Sequence, residues 1–327
     1  MNSLYPLKFE TIFKEKLWGG DKIKTILKKD FSPHENCGET WELSTVNGNI
    51  SRIANGEFKG GALDELLEKF PNEIMGKQVV AHFGSEFPLL IKFIDAQQDL
   101  SVQVHPNDEL AKSRHNGMGK TEMWYIMQAD EGASLIAGFN RPLNKELYSE
   151  HFNKGTLNEI LNRVEVEKGD VFYIPAGRIH TIGKGILLAE IQQTSDLTYR
   201  IYDFDRVDAQ GNKRELHVEE ALDALDYDFH ENYKTLYKPS LNKRTELVRS
   251  PYFTTNKYML TEGKNLDYSN LDSFVIYICT EGSGIMKYDG GEQQVVQGDV
   301  FLIPAVLKKI SMQPEQSLEL LEVYIDQ

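Results

Sequence analysis

The chain has 327 residues, 40% hydrophobic and 10% aromatic, enough for two domains or one large β-rich unit with an appendage. Its formal net charge of -14 argues against general affinity for nucleic acid or anionic membrane surfaces, although a local group of Lys and Arg can still hold an anionic small molecule. Cys37 and Cys279 alone are no disulfide framework, no stretch approaches the roughly 18 apolar residues of a bilayer span, and Met1-Asn-Ser-Leu-Tyr-Pro-Leu-Lys-Phe-Glu10 lacks a signal-peptide pattern, so a cytoplasmic protein is expected.

In chain order, the spacing of apolar residues predicts a helix over 63–70 and a strand over 87–94. Strands follow over 122–127, 170–174, 186–192 and 274–279, with helices over 143–164 and 218–225. Short apolar runs bounded by Gly, Asn, Asp and Pro outnumber helical patterns, which predicts a β-sandwich or barrel core. An internal repeat supports this. Gly169-Asp-Val-Phe-Tyr-Ile-Pro-Ala176 recurs as Gly298-Asp-Val-Phe-Leu-Ile-Pro-Ala305, with one position of the octet changed. Upstream, Trp124-Tyr-Ile-Met127 has a weaker counterpart in Ile276-Tyr-Ile-Cys279. Two copies of one β unit are expected, the first carrying an extra segment after Phe139.

Between and within these elements lie four candidate metal ligands. Gln103 and His105 alternate in Ser101-Val-Gln-Val-His-Pro-Asn-Asp108, so in a strand they share one face and Val102 and Val104 the other. Glu122 enters an apolar strand, where a carboxylate is costly unless paired or bound to metal. His180 closes the Pro-Ala-Gly turn of the first repeat. Two imidazoles, a carboxylate and an amide suit a divalent ion such as zinc and leave an open position. Gln103 is either a neutral fourth ligand or a group that orients the site. By the repeat offsets Glu122 corresponds to Phe274 and His180 to Lys309, so the second copy is expected to be metal-free. Arg200 stands in a strand of aromatic and β-branched residues, where an ordinary role is a salt bridge to Asp196 or Asp203. Lys120 is a second cation beside the ligand set; its ordinary reading is a solvated lysine.

Gly-Asp-x-x-x-Ile-Pro-Ala-Gly-x-x-His resembles the second motif of the cupin superfamily. Nearly the whole chain resembles class I mannose-6-phosphate isomerases of the short bacterial type. The resemblance runs through Leu17-Trp-Gly-Gly20, Gly38-Glu-Thr-Trp-Glu-Leu-Ser44, Leu90-Ile-Lys-Phe-Ile-Asp-Ala96, Gln103-Val-His-Pro-Asn-Asp108, Lys120-Thr-Glu-Met-Trp124 and Gln193-Thr-Ser-Asp-Leu-Thr-Tyr-Arg200. It implies an all-β core of two cupin-like, jelly-roll barrels with a few added helices. A catalytic domain over 1–240 and a degenerate cupin over 241–327 are expected. It further implies one Zn²⁺ per chain at Gln103, His105, Glu122 and His180, a phosphorylated sugar substrate, and Arg200 and Lys120 as catalytic cations. The expected reaction interconverts mannose 6-phosphate and fructose 6-phosphate through an enediol or enediolate. Lys120, Asp196 and Glu190 stand open as proton carriers, and the expected assembly is a monomer or homodimer. Two alternatives remain at this point. Two histidines and a carboxylate also suit the Fe(II) of a dioxygenase, which metal analysis and oxygen uptake would reveal. A non-catalytic sugar-binding cupin would instead lack a ligand or the arginine.

Overall fold

The computed structural model describes residues 4–207 and 210–326. Among them are three antiparallel sheets and seven short helices. The first sheet runs in spatial order β1 (Ile12–Lys14), β2 (Glu39–Leu43), β3 (Leu89–Ala96), β10 (Ile186–Gln193), β5 (Glu122–Ala129) and β8 (Val171–Ile174). The second runs β11 (Tyr199–Tyr202), β4 (Val102–Val104), β9 (His180–Thr181), β6 (Ser134–Phe139) and β7 (Leu161–Glu165). The third runs β12 (Thr245–Arg249), β13 (Thr254–Leu260), β18 (Lys309–Tyr324), β15 (Val275–Tyr288) and β16 (Gly291–Val296), with β14 (Lys264–Asp267) on β18 and β17 (Val300–Ile303) on β15.

Side-chain alternation stacks these sheets. On β10, Leu188 and Ile186 face a core that includes Ile94, Trp124, Ile126, Leu135, Ala137 and Ile182, the seam between the first and second sheets. Alternate residues Leu187, Ala189 and Ile191 face a larger core. There they meet Ile276 and Ile278 of β15, Leu302 of β17 and Leu321 and Val323 of β18, so the third sheet packs on the outer face of the first. A strand covered on both faces is apolar almost throughout, which is why β3 and β10 are buried along their whole length. The outer face of the second sheet, with Val102, Val104 and Tyr199, is covered by helices 145–153 and 218–224 through Tyr148, Ala221 and Leu225. Each large apolar side chain fully buried in these seams stabilises the fold by about 1.5–3 kcal/mol. Lys257 adds a polar tie between sheets, donating to Tyr125 Oη at 2.7 Å and standing 2.9 Å from Glu319.

The repeat is visible in the pairing. β8 lies on β5 as β17 lies on β15. The ladder moves the equivalence by one residue, because Glu122 faces Ile174 while Val275, not Phe274, faces Ile303. Phe274 points the other way and packs on Phe87, with ring centroids 4.6 Å apart. Lys309 is exposed beside Asp267 at the start of β18.

Two expectations are corrected. The helical reading of 143–164 holds only for Lys145–Asn153 and a 3₁₀ turn at Leu157–Glu159, because Leu161–Glu165 is a strand. From Asn162 to Glu165 half-buried and exposed residues alternate, and pairing with β6 completes the strand, as Leu135 opposite Val164 shows. Helical spacing and strand alternation share too many positions in so short a segment for local pattern to separate them. The core is β-rich as expected, but the strand ladders form open sheets and not closed barrels. No helix among the described residues is long and apolar enough to cross a membrane.

Candidate metal centre and pocket

His105, Glu122 and His180 converge between the first and second sheets, with their ligand atoms within 4.8 Å of one another and all three side chains buried. The local structure explains their meeting. Gln103 faces His180 directly across β4 and β9. His105 stands one residue past β4, and Gly177 of the Pro-Ala-Gly turn donates its N–H to the His105 carbonyl at 2.9 Å. Gly177 has φ 90°, a left-handed conformation that glycine accepts without strain, so the turn can bring His180 back beside His105. Glu122 enters from the opposite sheet at the head of β5.

Each imidazole is fixed by its second nitrogen. His105 Nδ1 lies 2.9 Å from the Leu197 carbonyl and His180 Nδ1 2.8 Å from the Arg178 carbonyl. Carbonyls only accept, so Nδ1 carries the proton in both rings and each Nε2 lone pair points inward. The two Nε2 atoms lie 3.5 Å from Glu122, one near each oxygen. Burial, then the Lys120 charge, pushes His105 well below the usual imidazole range, and burial pushes His180 down to about 3, so both rings are neutral. Burial, then the charge of Glu190, pushes the Glu122 carboxyl up. Neither Glu122 oxygen receives a well-directed hydrogen bond, although Lys120 Nζ stands 2.9 Å from Oε2. Two neutral imidazoles aimed at a poorly satisfied buried carboxylate are the donor set a divalent cation would complete. The Gln103 amide lies 3.2 Å from His180 Nε2, and turning it presents an oxygen to the same point.

Beside the cluster lies a cavity of about 340 Å³, lined not by the three cluster residues but by all five sequence-predicted polar neighbours, Gln103, Lys120, Glu190, Asp196 and Arg200; Gln103 and Lys120 touch the cluster. Lys120 is 5% exposed, not a solvated surface lysine, with Nζ 3.1 Å from His105 Nε2. Despite burial, Glu122 and Glu190 raise its pKa and keep it an ammonium. Arg200 faces Gln103 across β11 and β4. Its Nη1 donates to the Glu215 carbonyl at 2.9 Å, and its buried Nε has no partner. The salt bridge to Asp196 or Asp203 that its setting suggested is not formed among the described residues; Asp203 pairs with Arg206 and Arg214 instead.

Sequence reasoning missed four charged wall residues: Lys16, Glu39, Lys92 and Arg214. Trp41, Lys92, Glu190 and Trp124 form one row straight across four strands of the first sheet. Lys92 Nζ lies 3.1 Å from Glu190 Oε1, and Trp124 Nε1 donates to Glu190 Oε2 at 2.9 Å. Lys16 pairs with Glu39 at 3.1 Å. The available signal was Lys92 itself, a charge in the middle of an otherwise apolar run, which demands a buried partner.

Fold and site together define a metallo-enzyme with a cationic pocket between packed β-sheets. Comparison with known proteins identifies which one. Residues 6–135 match the family model described as phosphomannose isomerase type I, catalytic domain, and residues 243–324 match mannose-6-phosphate isomerase, cupin domain. Mannose-6-phosphate isomerase ManA of Bacillus subtilis is 37% identical over 314 residues, covering 94% of this chain and 96% of the relative. The crystal structure of the mannose 6-phosphate isomerase from Bacillus subtilis superposes with a TM-score of 0.88 at 33% identity, covering 97% of this chain and 99% of that one. A solved mannose 6-phosphate isomerase described as holo and zinc bound shares the fold with a TM-score of 0.81 at 16% identity, covering 98% of this chain and 100% of its own. The chain belongs to the type I mannose-6-phosphate isomerase family.

Proposed function

We propose that this protein is a metal-dependent aldose–ketose isomerase that interconverts mannose 6-phosphate and fructose 6-phosphate. The observation that carries the reading is the buried His105–Glu122–His180 cluster, with both Nε2 lone pairs turned inward, beside a cationic pocket that Gln103 and Lys120 connect to it. Family membership narrows that chemistry to this reaction. His105, Glu122 and His180 would hold one Zn²⁺, with Gln103 as a fourth oxygen donor. Zinc in such a site supplies Lewis-acid polarisation of carbonyl and hydroxyl oxygens. The zinc-bound form of a solved isomerase of this fold supports the choice of metal.

The chain's own residues then act on the proton and on the developing charge. Isomerisation moves a proton between C1 and C2 through an enediol or enediolate. Arg200, half-buried and without a carboxylate partner, offers fixed positive charge to the enediolate oxygens. Of the pocket carboxylates Glu39, Glu190 and Asp196, the latter two are the candidates to take the proton, Glu39 being held down to about 2, against the effect of its burial, by Lys92 and Lys16. Lys120, held as an ammonium, is the group able to return one to an oxygen. Lys92 and Trp124 pin Glu190 in place.

The organisation follows the same reading. Residues 1–240 form the catalytic cupin unit and 241–327 the degenerate one, each a jelly-roll that the open ladders leave unclosed. Val275 and Lys309 occupy the places of Glu122 and His180, so among the described residues the second unit has no such ligand set and serves as a packing partner. The cytoplasmic location is supported by Cys37 and Cys279, both buried and free. An Fe(II) oxygenase would need the same ligand triad, but the array of lysine and arginine along the wall favours an anionic substrate. The test is a coupled isomerase assay with mannose 6-phosphate, with and without chelator. Turnover that a chelator abolishes and Zn²⁺ restores is expected; no turnover by the zinc-loaded protein would overturn the assignment.

A further inference from the structure

Lys120 meets the ligand cluster from a short irregular segment, residues 118–121, that runs into β5 at Glu122. Its side chain can hold one position only if the backbone beneath it is fixed. Consecutive amides of that backbone are each taken by a different part of the chain. The Gly119 N–H donates to Asp108 Oδ1 at 2.9 Å, the Lys120 N–H to the Pro106 carbonyl at 3.1 Å, and the Thr121 N–H to Gln193 Oε1 at 2.8 Å. The approach is also close. A Cβ on Gly119 would stand 2.5 Å from the Asp108 amide nitrogen, so the segment lies against the backbone after His105 at a distance that glycine allows.

Gln193 is the centre of this arrangement. It ends β10, is 2% exposed, and meets Thr121 twice. Its own N–H donates to the Thr121 carbonyl at 3.1 Å, while its side-chain oxygen accepts the Thr121 N–H. Its Nε2 donates at 3.1 Å to Asp108 Oδ1, the oxygen that also takes Gly119. Gln193 and Asp108 together therefore hold the residues on both sides of Lys120. The other Asp108 oxygen accepts from Tyr252 Oη at 2.7 Å. Tyr252 lies in the second unit, in the connection between β12 and β13, where Ser250 Oγ accepts the N–H groups of Tyr252 and Phe253. Phe253 is buried in the core shared by the first and third sheets. The far end of the network is thus anchored outside the catalytic unit.

We propose that Gln193 is a positioning residue for Lys120 and that Tyr252 extends its hold from the second unit, a role that rests on the isomerase reading above. A glutamine suits the place because one amide both accepts and donates, bridging an N–H and a carboxylate without adding charge. Gln193 belongs neither to the cavity wall nor to the ligand cluster, so its effect on turnover passes through the residue it holds. Its bond to Thr121 is buried, and removing the acceptor leaves that N–H unsatisfied. Asp108 is exposed at the rim, where water can replace a lost partner, so Tyr252 contributes less than Gln193.

The test is a double-mutant cycle between Gln193 and Lys120 in the full-length, zinc-loaded protein. Gln193→Met keeps the side-chain length and removes both hydrogen-bonding groups. It should lower kcat about 10- to 100-fold, the scale for a reacting group misplaced by about 1 Å, with KM changed far less and zinc stoichiometry unchanged. Gln193→Glu, which keeps the acceptor for Thr121, should recover part of the loss. In the Lys120→Ala background Gln193→Met should cause no further fall in kcat, because the group it positions is gone. Tyr252→Phe should show the same dependence on Lys120 with a smaller loss. A normal kcat in Gln193→Met, or an equal fold-loss with and without Lys120, would overturn the proposal, the second by revealing a general structural role. If Gln193→Met does not fold, the cycle with Tyr252→Phe is decided by the same two outcomes. Amide hydrogen exchange needs no turnover. The Lys120 N–H, bonded to Pro106 and not to Gln193, should exchange roughly 10-fold faster in Gln193→Met, and unchanged exchange would also overturn the proposal. Faster exchange in a protein that fails to isomerise mannose 6-phosphate would refute the activity and leave the positioning of Lys120 standing.

Discussion

Replacing Arg200 by alanine separates charge stabilisation from binding. Arg200 is half-buried, its Nη1 is tied to a neutral carbonyl, and no carboxylate among the described residues pairs with it. Its full charge is therefore available to an oxyanion that develops during turnover. Removing one preorganised donor of this kind lowers kcat by about 10²–10³, or about 2.7–4 kcal/mol of transition-state stabilisation. The cost to the fold is smaller. One hydrogen bond to the Glu215 carbonyl is lost, worth about 1 kcal/mol, while repulsion from Arg214 and Arg206 is relieved. Metal content should persist, because Arg200 faces Gln103 but holds no ligand position. The assay is steady-state conversion of mannose 6-phosphate coupled to detection of fructose 6-phosphate, with bound zinc and the melting temperature measured on the same preparation. Arg200→Lys, which keeps the charge without the planar fork, should fall between wild type and alanine. A normal kcat with only a raised KM would refute the reasoning, since it would make Arg200 a substrate-holding group present equally in ground and transition states.

Other consequences are as direct. His180→Ala should lower bound zinc and activity together; full zinc occupancy in that variant, by elemental analysis, would remove His180 from the ligand set. Lys309→Ala should leave metal stoichiometry unchanged. A chain ending near residue 270 should aggregate or lose stability, because Ile276, Ile278, Leu302, Leu321 and Val323 cover the outer face of the first sheet; a soluble, fully active fragment would contradict this. Lys257→Ala should destabilise the protein by about 1–3 kcal/mol in denaturant titration, since Tyr125 and Glu319 lose their shared partner. Burial opposes ionisation of Glu39, but Lys92 and Lys16 prevail and hold it down to about 2 from a usual 4.5. A depressed carboxyl stabilises the fold above the unfolded pKa and loses that contribution as pH falls toward the folded one. The melting-temperature deficit of Glu39→Gln should accordingly be larger at pH 7 than at pH 3, and a deficit independent of pH would exclude this ion-pair origin.

The amino-acid sequence by itself singled out the residues that cluster in the structure, His105, Glu122 and His180, with Gln103 beside them. Alternation placed Gln103 and His105 on one face and Val102 and Val104 on the other, and the structure keeps that division, with the valines in the helix-covered core. It also determined the repeat, the family and four of the six strands of the first sheet, β3, β5, β8 and β10. Those features are local: a period of two, or a run of motif residues, can be read from neighbours along the chain. Tertiary structure alone decided which charges share the pocket. Lys92 meets Glu190 because β3 pairs with β10 in one register, and a slip of one residue would turn each to the opposite face. Arg214 reaches the wall because Lys213 bridges Val207 and the His217 N–H is tied to the Arg200 carbonyl of β11, and Leu161–Glu165 became a strand because β6 offered it an edge. Each outcome depends on partners distant in sequence, whose pairing is selected by burial of whole faces and leaves no mark in the spacing of the residues themselves.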